Sequence, residues 1–246
     1  MNMTLDFNNH VYNHHGSLNG SQQLSKQQKV HEIRDNEVGM GTTLIALKYA
    51  DGVVVGADSR TSSGSYIVNR VSDKLTRITD RIYCCRSGSA ADTQALADAA
   101  AYELDFLRHN LGCPVTVDMA ANVLKNMAYN YRDQLTVGLI VAGWDATNKG
   151  SVYSIPLGGM MTQQNFAVGG SGSIYVQGLI DKTFGGPNKS KEECVDYLKS
   201  IIFSAIARDA ASGGVVRIAA INKDGVERFL FMSDDHEPIS LKQSSN

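Results

Sequence analysis

Apolar and polar positions divide this chain at residue 41. Residues 1–41 are rich in Asn, Gln, Ser and His and carry only scattered single apolar positions, whereas Leu44-Ile45-Ala46-Leu47 opens a dense β-branched and aliphatic pattern. The runs 43–49 and 52–57 flank Ala50-Asp51 and read as a hairpin with Asp51-Gly52 as its turn signal. A polar segment, Asp58-Ser59-Arg60-Thr61, leaves the second strand. Short strand-like pieces follow at 66–71, 75–78 and 82–85, the last two joined through Thr79-Asp80-Arg81. Ser89-Ala90-Ala91-Asp92 then has the form of a helix start, with an acid where the macrodipole favours one. From there to His109, Leu96, Ala99, Ala100, Leu104 and Leu107 trace a helical stripe. Cys113-Pro114 breaks it. A second helix is predicted over 116–133, with Met119, Val123, Leu124, Met127 and Tyr131 on its buried side.

Strands return at 136–144, 151–155 and 166–168, the last running into Gly169-Gly170-Ser171-Gly172-Ser173. A third helix is predicted over 174–184. Ser190-Lys191-Glu192-Glu193 is a capping box for a fourth, ending near Asp209. The runs 215–222 and 226–232 form a closing hairpin through Asp224-Gly225. The order is strands, two helices, strands, two helices, strands, with no repeat or linker. Segregated runs of this kind predict an α+β fold with stacked antiparallel sheets and helices outside, a four-layer αββα sandwich.

Composition narrows the possibilities. At 246 residues the chain suits one domain able to bury a substantial core after a leader whose composition cannot offset the entropy of ordering. A net charge of −2 gives no reason to expect nucleic acid or an anionic membrane as partner, and no apolar run approaches a membrane span. The start, Met1-Asn2-Met3-Thr4-Leu5-Asp6, lacks the basic and apolar regions of a secretory signal and the Arg-rich pattern of a transit peptide. Cys84, Cys85, Cys113 and Cys194 show no metal-ligand spacing, and read as reduced thiols of a cytosolic or nuclear protein; Cys84 and Cys85 should face opposite sides of a strand.

Histidines change the picture more. His10, His14, His15 and His31 lie in the leader, leaving only His109 and His236 for the domain. A hydrolase built on a Ser-His or Cys-His pair would have few candidates for its base. Thr42, the first residue after the composition boundary, offers another route. Freed at its N-terminus, it would carry a hydroxyl and an α-amine on one residue. The reference pKa of that amine is about 7.7–8.0 against about 10.4 for Lys, so it is the better general base at neutral pH. While Gly41 is attached the nitrogen is an amide and cannot act so. On its own, Thr42-Thr43 is an ordinary strand-leading dipeptide.

Asp58 and Lys74 are surface charges by default. Placed beside Thr42, Lys74 would lower the pKa of the hydroxyl and amine, and Asp58 would compensate its burial. Gly88 stands between a strand and a helix start, where a backbone N–H can face a developing oxyanion. It reads equally as a turn glycine, and Gly170-Ser171-Gly172 has the same two readings; the latter is neither a dinucleotide fingerprint nor a nucleophile elbow.

Six segments, Gly41-Thr42-Thr43, Gly56-Ala57-Asp58-Ser59-Arg60, Ser72-Asp73-Lys74, Ser87-Gly88-Ser89-Ala90-Ala91-Asp92, Gly170-Ser171-Gly172-Ser173 and Asp209-Ala210-Ala211-Ser212-Gly213-Gly214, stand in the order found in catalytic beta subunits of the proteasome core particle. The resemblance covers residues 41–232; the leader matches nothing useful. It implies an N-terminal-nucleophile hydrolase fold, with residues 1–41 a propeptide removed by autocatalytic cleavage of Gly41–Thr42 and 42–246 the catalytic domain. It makes Thr42 the nucleophile, Asp58 and Lys74 its activating pair and the Gly88 N–H an oxyanion donor. Ser171, Asp209 and Ser212 are expected near the Thr42 amine. Arg86 falls at the base of the pocket for the residue before the cut bond, as in the caspase-like, or beta-one, type, and a guanidinium there favours Asp or Glu. An internal salt bridge is the alternative for Arg86. Thr61, Ser62 and Ala90 should line the same cleft, with the peptide added as an extended strand.

The partners so implied are other beta subunits, alpha-ring subunits and polypeptide substrates, with no metal or cofactor, in cytoplasm and nucleus. Two other functions remain at this level: a structural ring subunit that keeps its leader, and a small-amide hydrolase of the same superfamily.

Overall fold

A computed structural model of the chain describes residues 39–232. The leader up to residue 38 and His236 therefore lie outside the described residues. The first hairpin forms as the pattern predicts, with β2 (Leu44–Tyr49) and β3 (Gly52–Ala57) paired antiparallel from Leu44↔Ala57 to Tyr49↔Gly52; β1 is the short strand Gly39–Met40 before them. After β4 (Thr61–Ser63) and β5 (Tyr66–Asn69) come β6 (Leu75–Thr79) and β7 (Ile82–Ser89), then helices α1 (Ala90–Leu111) and α2 (Val117–Asn130). Strands β8 (Val137–Asp145), β9 (Lys149–Ile155), β10 (Thr162–Gln164) and β11 (Phe166–Gly169) precede α3 (Ser173–Thr183) and α4 (Lys191–Ile206), and β12 (Val216–Asn222) and β13 (Gly225–Phe231) end the described chain.

The strands form two antiparallel sheets. One runs β10-β9-β8-β7-β1-β4-β5, with β6 also on β7; the other runs β11-β2-β3-β12-β13. Strand periodicity assigns each side chain to a layer. Leu44, Ala46, Val53, Val55, Tyr83, Cys85, Ile140 and Ala142 meet between the sheets. Ile45, Leu47, Val54, Ile218 and Ala220 turn outward onto α3 and α4, and Ile82, Cys84, Leu139 and Val141 turn outward onto α1 and α2. Cys84 and Cys85 do face opposite sides. The result is the αββα sandwich of the sequence reading.

Helix ends follow local chemistry. The Ser89 hydroxyl accepts from the Asp92 N–H at 3.3 Å, Thr116 caps α2, and Ser190 with Glu193 forms a reciprocal capping box. The fourth helix is regular to Ile206 and keeps helical hydrogen bonding as far as the Asp209 N–H, which donates to the Ala205 carbonyl at 2.8 Å, so it ends where the pattern places it. Two expectations need correcting. Ala99 and Tyr131 are exposed, and beside Leu96, Leu104, Val117 and Leu124 the buried sides of α1 and α2 carry the alanines Ala97, Ala100, Ala120, Ala121 and Ala128. Small residues permit close helix approach, which a stripe of large apolar residues does not reveal. Finally, the leader is not wholly without structure: Gly39–Met40 pairs with both β4 and β7. Backbone pairing needs no apolar side chain, so composition could not disclose it.

Candidate active site

Strand register carries the candidate residues to one end of the sandwich. Because Leu44 pairs with Ala57, the residues just outside the hairpin, Thr43 and Asp58, are neighbours, and the Asp58 N–H donates to the Thr43 carbonyl at 3.3 Å. Gly169 pairs with Leu44, which sets the next turn beside Thr42; the Gly172 N–H donates to the Thr42 carbonyl at 3.1 Å. Arg217 pairs with Ala57, which brings residues 212–213 to Asp58. From the other sheet, Lys74 enters immediately before β6 and its carbonyl accepts from the Arg86 N–H at 3.1 Å. Residues far apart in sequence thus converge because five strands, β2, β3, β6, β11 and β12, begin or end at the same rim.

Lys74 is fully buried and spends all three ammonium protons: on Asp58 Oδ1 at 2.8 Å, on Thr42 Oγ1 at 3.0 Å and on the Gly41 carbonyl oxygen at 2.8 Å. Burial pulls the Lys74 pKa down from its ordinary 10.5, against the opposing pull of Asp58. Asp58, also fully buried, is satisfied at both oxygens. Oδ1 accepts from Lys74 and the Thr43 N–H, and Oδ2 accepts from the N–H groups of Arg60 and Gly213 at 3.1 and 2.9 Å. A buried ion pair persists only with such complete partnering.

On the opposite side of Thr42 lies a hydroxyl–carboxylate cluster. The Thr42 N–H donates to Ser171 Oγ at 3.1 Å, and Ser171 donates to Asp209 Oδ2 at 2.7 Å. Ser212 donates to the same oxygen at 2.6 Å and contacts Thr43 Oγ1 at 2.8 Å, next to Thr42 in the chain. Burial pushes the Asp209 carboxyl up, but the hydroxyls of Ser212 and Ser171, the Ala211 N–H and the Lys74 charge outweigh it and hold it below 3.8.

Gly88 is not in a turn but within β7, at φ +110°, where a Cβ would collide with the Thr136 carbonyl. Its backbone stands opposite Met40, two residues before Thr42, with Gly39 flanked by Ser62 on one side and Ser89 on the other. The end of the leader thus occupies the space between β4 and β7 as an extended strand. Thr61 is buried and bonded to Ser72, while Ser62 and Ala90 are half-buried.

Arg86 is buried at 9% exposure and bonds only neutral acceptors: Thr76 Oγ1 at 2.7 Å, Thr93 Oγ1 at 3.2 Å and the Asp73 carbonyl at 3.3 Å. The nearby Asp73 carboxylate is taken by Arg228 and the Leu75 N–H, so among the described residues no acid pairs with Arg86. The internal salt bridge is therefore not observed. A cavity of about 1220 Å³ opens between the β6–β7 turn, the end of α1 and the β8–β9 turn, and is lined by none of these residues.

Thr43, whose N–H and hydroxyl tie Asp58 to Ser212, was missing from the sequence candidates. The Thr-Thr doublet was its only signal.

The family model described as proteasome subunit matches residues 38–221. The chain belongs to the proteasome beta-subunit family. It is 48% identical over 213 residues to proteasome subunit beta type-1 of Saccharomyces cerevisiae, covering 87% of this chain and 98% of that relative. With proteasome subunit beta type-6 of Arabidopsis thaliana it shares 49% identity over 209 residues, 83% of this chain and 89% of the relative. With proteasome subunit beta type-9 of Homo sapiens the identity is 46% over 202 residues, 82% and 91%. Membership carries with it assembly with other proteasome subunits.

Proposed function

We propose that this subunit is a threonine endopeptidase that cleaves unfolded polypeptides after acidic residues, and that it activates itself by cutting Gly41–Thr42. The observation that carries the reading is the position of the Lys74 ammonium, which touches the Thr42 hydroxyl and the Gly41 carbonyl oxygen together. In the precursor, Thr42 Oγ attacks the Gly41 carbonyl carbon while Lys74 stabilises negative charge on both oxygens. The C–N bond breaks, the nitrogen takes up the hydroxyl proton, and water splits the resulting ester into a Gly41 carboxylate and a free Thr42. The freed amine then accepts the hydroxyl proton as Thr42 attacks a substrate carbonyl and passes it to the leaving amine. Ser171 holds that amine, Asp209 and Ser212 hold Ser171 and Thr43 in turn, and the Gly88 N–H donates to the oxyanion.

Gly39–Met40 supports the binding mode: a substrate would take the leader's place between β4 and β7, past Thr61, Ser62 and Ala90. Arg86 supports the selectivity, since a buried guanidinium with neutral neighbours gains most from an anionic side chain. The sites of action are the cytoplasm and nucleus, with neighbouring beta subunits and an alpha ring completing the chamber.

Intact-mass measurement of the assembled protein, with hydrolysis of otherwise identical peptides bearing Glu or Leu before the cut bond, tests this directly. A chain beginning at Thr42 that prefers Glu is expected, with Arg86→Met shifting preference toward Leu. Retention of residues 1–41 would return the chain to the structural-subunit reading, and an unchanged preference in Arg86→Met would remove Arg86 from the pocket.

A further inference from the structure

Residues 70–74, between β5 and β6, are a strap without ladder pairing in which the carbonyls of residues 70–73 take side-chain partners, while the Lys74 carbonyl accepts from the Arg86 N–H. Two guanidinium groups supply them. Arg217 donates through Nη2 to the Val71 carbonyl at 2.8 Å and through Nε to the Ser72 carbonyl at 3.2 Å, and Arg86 takes the Asp73 carbonyl. The other edge of the strap is tied to Ser59, whose carbonyl accepts from the Ser72 N–H at 3.1 Å and the Ser72 hydroxyl at 2.7 Å, and whose hydroxyl donates to the Arg70 carbonyl. Lys74 is the strap's last residue.

Arg217 is also ladder-paired with Ala57, the residue before Asp58. One side chain on a rigid strand therefore spans both halves of the buried ion pair: its backbone is in register with the end of β3, and its fork grips the segment that delivers Lys74. We propose that Arg217, which lies outside the leader-filled cleft, is a positioning residue for Lys74, setting the distance at which the ammonium meets Asp58 and Thr42. This rests on the reading of Lys74 given above.

The planar fork is essential to the role, because two carbonyls from consecutive residues are held at once; a Lys ammonium supplies the charge without that geometry. The charges acting on Lys74 are Asp58 at the end of β3, Asp209 after α4 and Arg60 in the β3–β4 link. Burial is the largest influence on Lys74, so a loosened strap that admits solvent returns its pKa toward 10.5.

The test uses the full chain in the assembled particle, as wild type, Arg217→Met and Arg217→Lys, with a peptide bearing Glu before the cut bond. Arg217→Met is expected to lower kcat by about ten- to a hundredfold, the scale of a small misplacement of a reacting group, with KM nearly unchanged. Its alkaline limb should move to higher pH, removal of residues 1–41 should slow, and Arg217→Lys should recover part of the loss. A kcat equal to wild type overturns the proposal, as does a fall in kcat with an unmoved alkaline limb, which marks a merely structural effect. A wild type that keeps its leader and leaves the peptide intact overturns the functional reading together with this one; a wild type that does both reactions while Arg217→Met matches it overturns this one alone.

Discussion

Strands β2 and β3 pass through two environments that are equally dry and chemically opposite. Between the sheets, Leu44, Ala46, Val53 and Val55 are wholly inaccessible and touch only apolar neighbours. At the rim of the same hairpin, Thr42, Thr43, Asp58 and Ser59 are as inaccessible, together with Lys74, and their side chains are consumed by polar contacts. The inter-sheet layer is stabilised by the area it removes from water, roughly 1.5–3 kcal/mol for each large side chain. The rim pays a desolvation cost for every charge it holds and offsets it only through complete hydrogen bonding. A core of the first kind tolerates change in proportion to volume. A core of the second kind should fail by single contacts.

The largest expected effect separates chemistry from stability at the rim. Lys74→Met removes the buried ammonium but leaves Asp58 with three backbone N–H donors, from Thr43, Arg60 and Gly213. Peptide cleavage should fall by at least about 10²–10³-fold, the scale of losing one electrostatic donor to a reacting oxygen, with the leader retained. Thermal unfolding should shift downward, because the buried Asp58 carboxylate loses its counter-charge, but by less than in Asp58→Asn, since its three backbone N–H donors remain. A variant that cleaves at the wild-type rate would sink the assignment of Lys74.

Asp58→Asn breaks the same pair from the other side and should be the reverse case. It takes away the counter-charge of the buried Lys74 ammonium, whose other acceptors, the Thr42 hydroxyl and the Gly41 carbonyl, are neutral. An uncompensated buried charge of this kind costs about 3–5 kcal/mol, measurable by urea unfolding. A loss no larger than that of Lys74→Met would mean that the rim does not distinguish the two partners.

What the amino-acid sequence disclosed divides along the same line. The inter-sheet core and both helix pairs were legible because burial on two faces leaves unbroken apolar runs and burial on one leaves a stripe. Strands β1, β4 and β10 were not, being two or three residues long and without an alternating pattern. At the rim, Thr42, Asp58 and Lys74 emerged from the order of short motifs, since no periodicity links positions drawn from separate strand ends. Thr43 and Arg217 could not emerge at all. One acts through its N–H and hydroxyl, the other through carbonyls of a strap, and both depend on register that only the folded sheet defines.

The apolar layer offers the control. Ile140, 1% exposed between the sheets on β8, lies beside Gly169 and takes part in none of the rim's hydrogen bonds or ion pairs. Ile140→Ala should cost about 2–5 kcal/mol from lost transfer energy and the cavity left behind. Its effect on cleavage should follow the loss of folded protein alone, with kcat per folded site and acidic preference kept. A change in preference without loss of stability would show that the two environments are coupled.

Asp209 gives the smallest effect and the one with a pH signature. Its carboxyl is held below 3.8 despite burial, because Oδ2 accepts two serine hydroxyls while Oδ1 accepts the Ala211 N–H. A depressed carboxyl contributes stability that is present above its unfolded pKa and disappears as pH falls through the folded value. Asp209→Asn should therefore be less stable than wild type by about 1–3 kcal/mol near neutral pH, from the weakened charge-assisted hydrogen bonds. In urea unfolding the gap should begin to narrow as the pH falls through 3.8, where the unfolded chain's carboxyl takes up its proton first, and should close as the pH passes the lower value of the folded carboxyl. Ile140→Ala carries no ionisable change, and its gap from wild type should stay constant over the same range. If the Asp209→Asn gap is equally flat, the hydroxyl cluster is held by shape and not by the carboxylate's charge, and the rim loses its distinction from the apolar layer at that point.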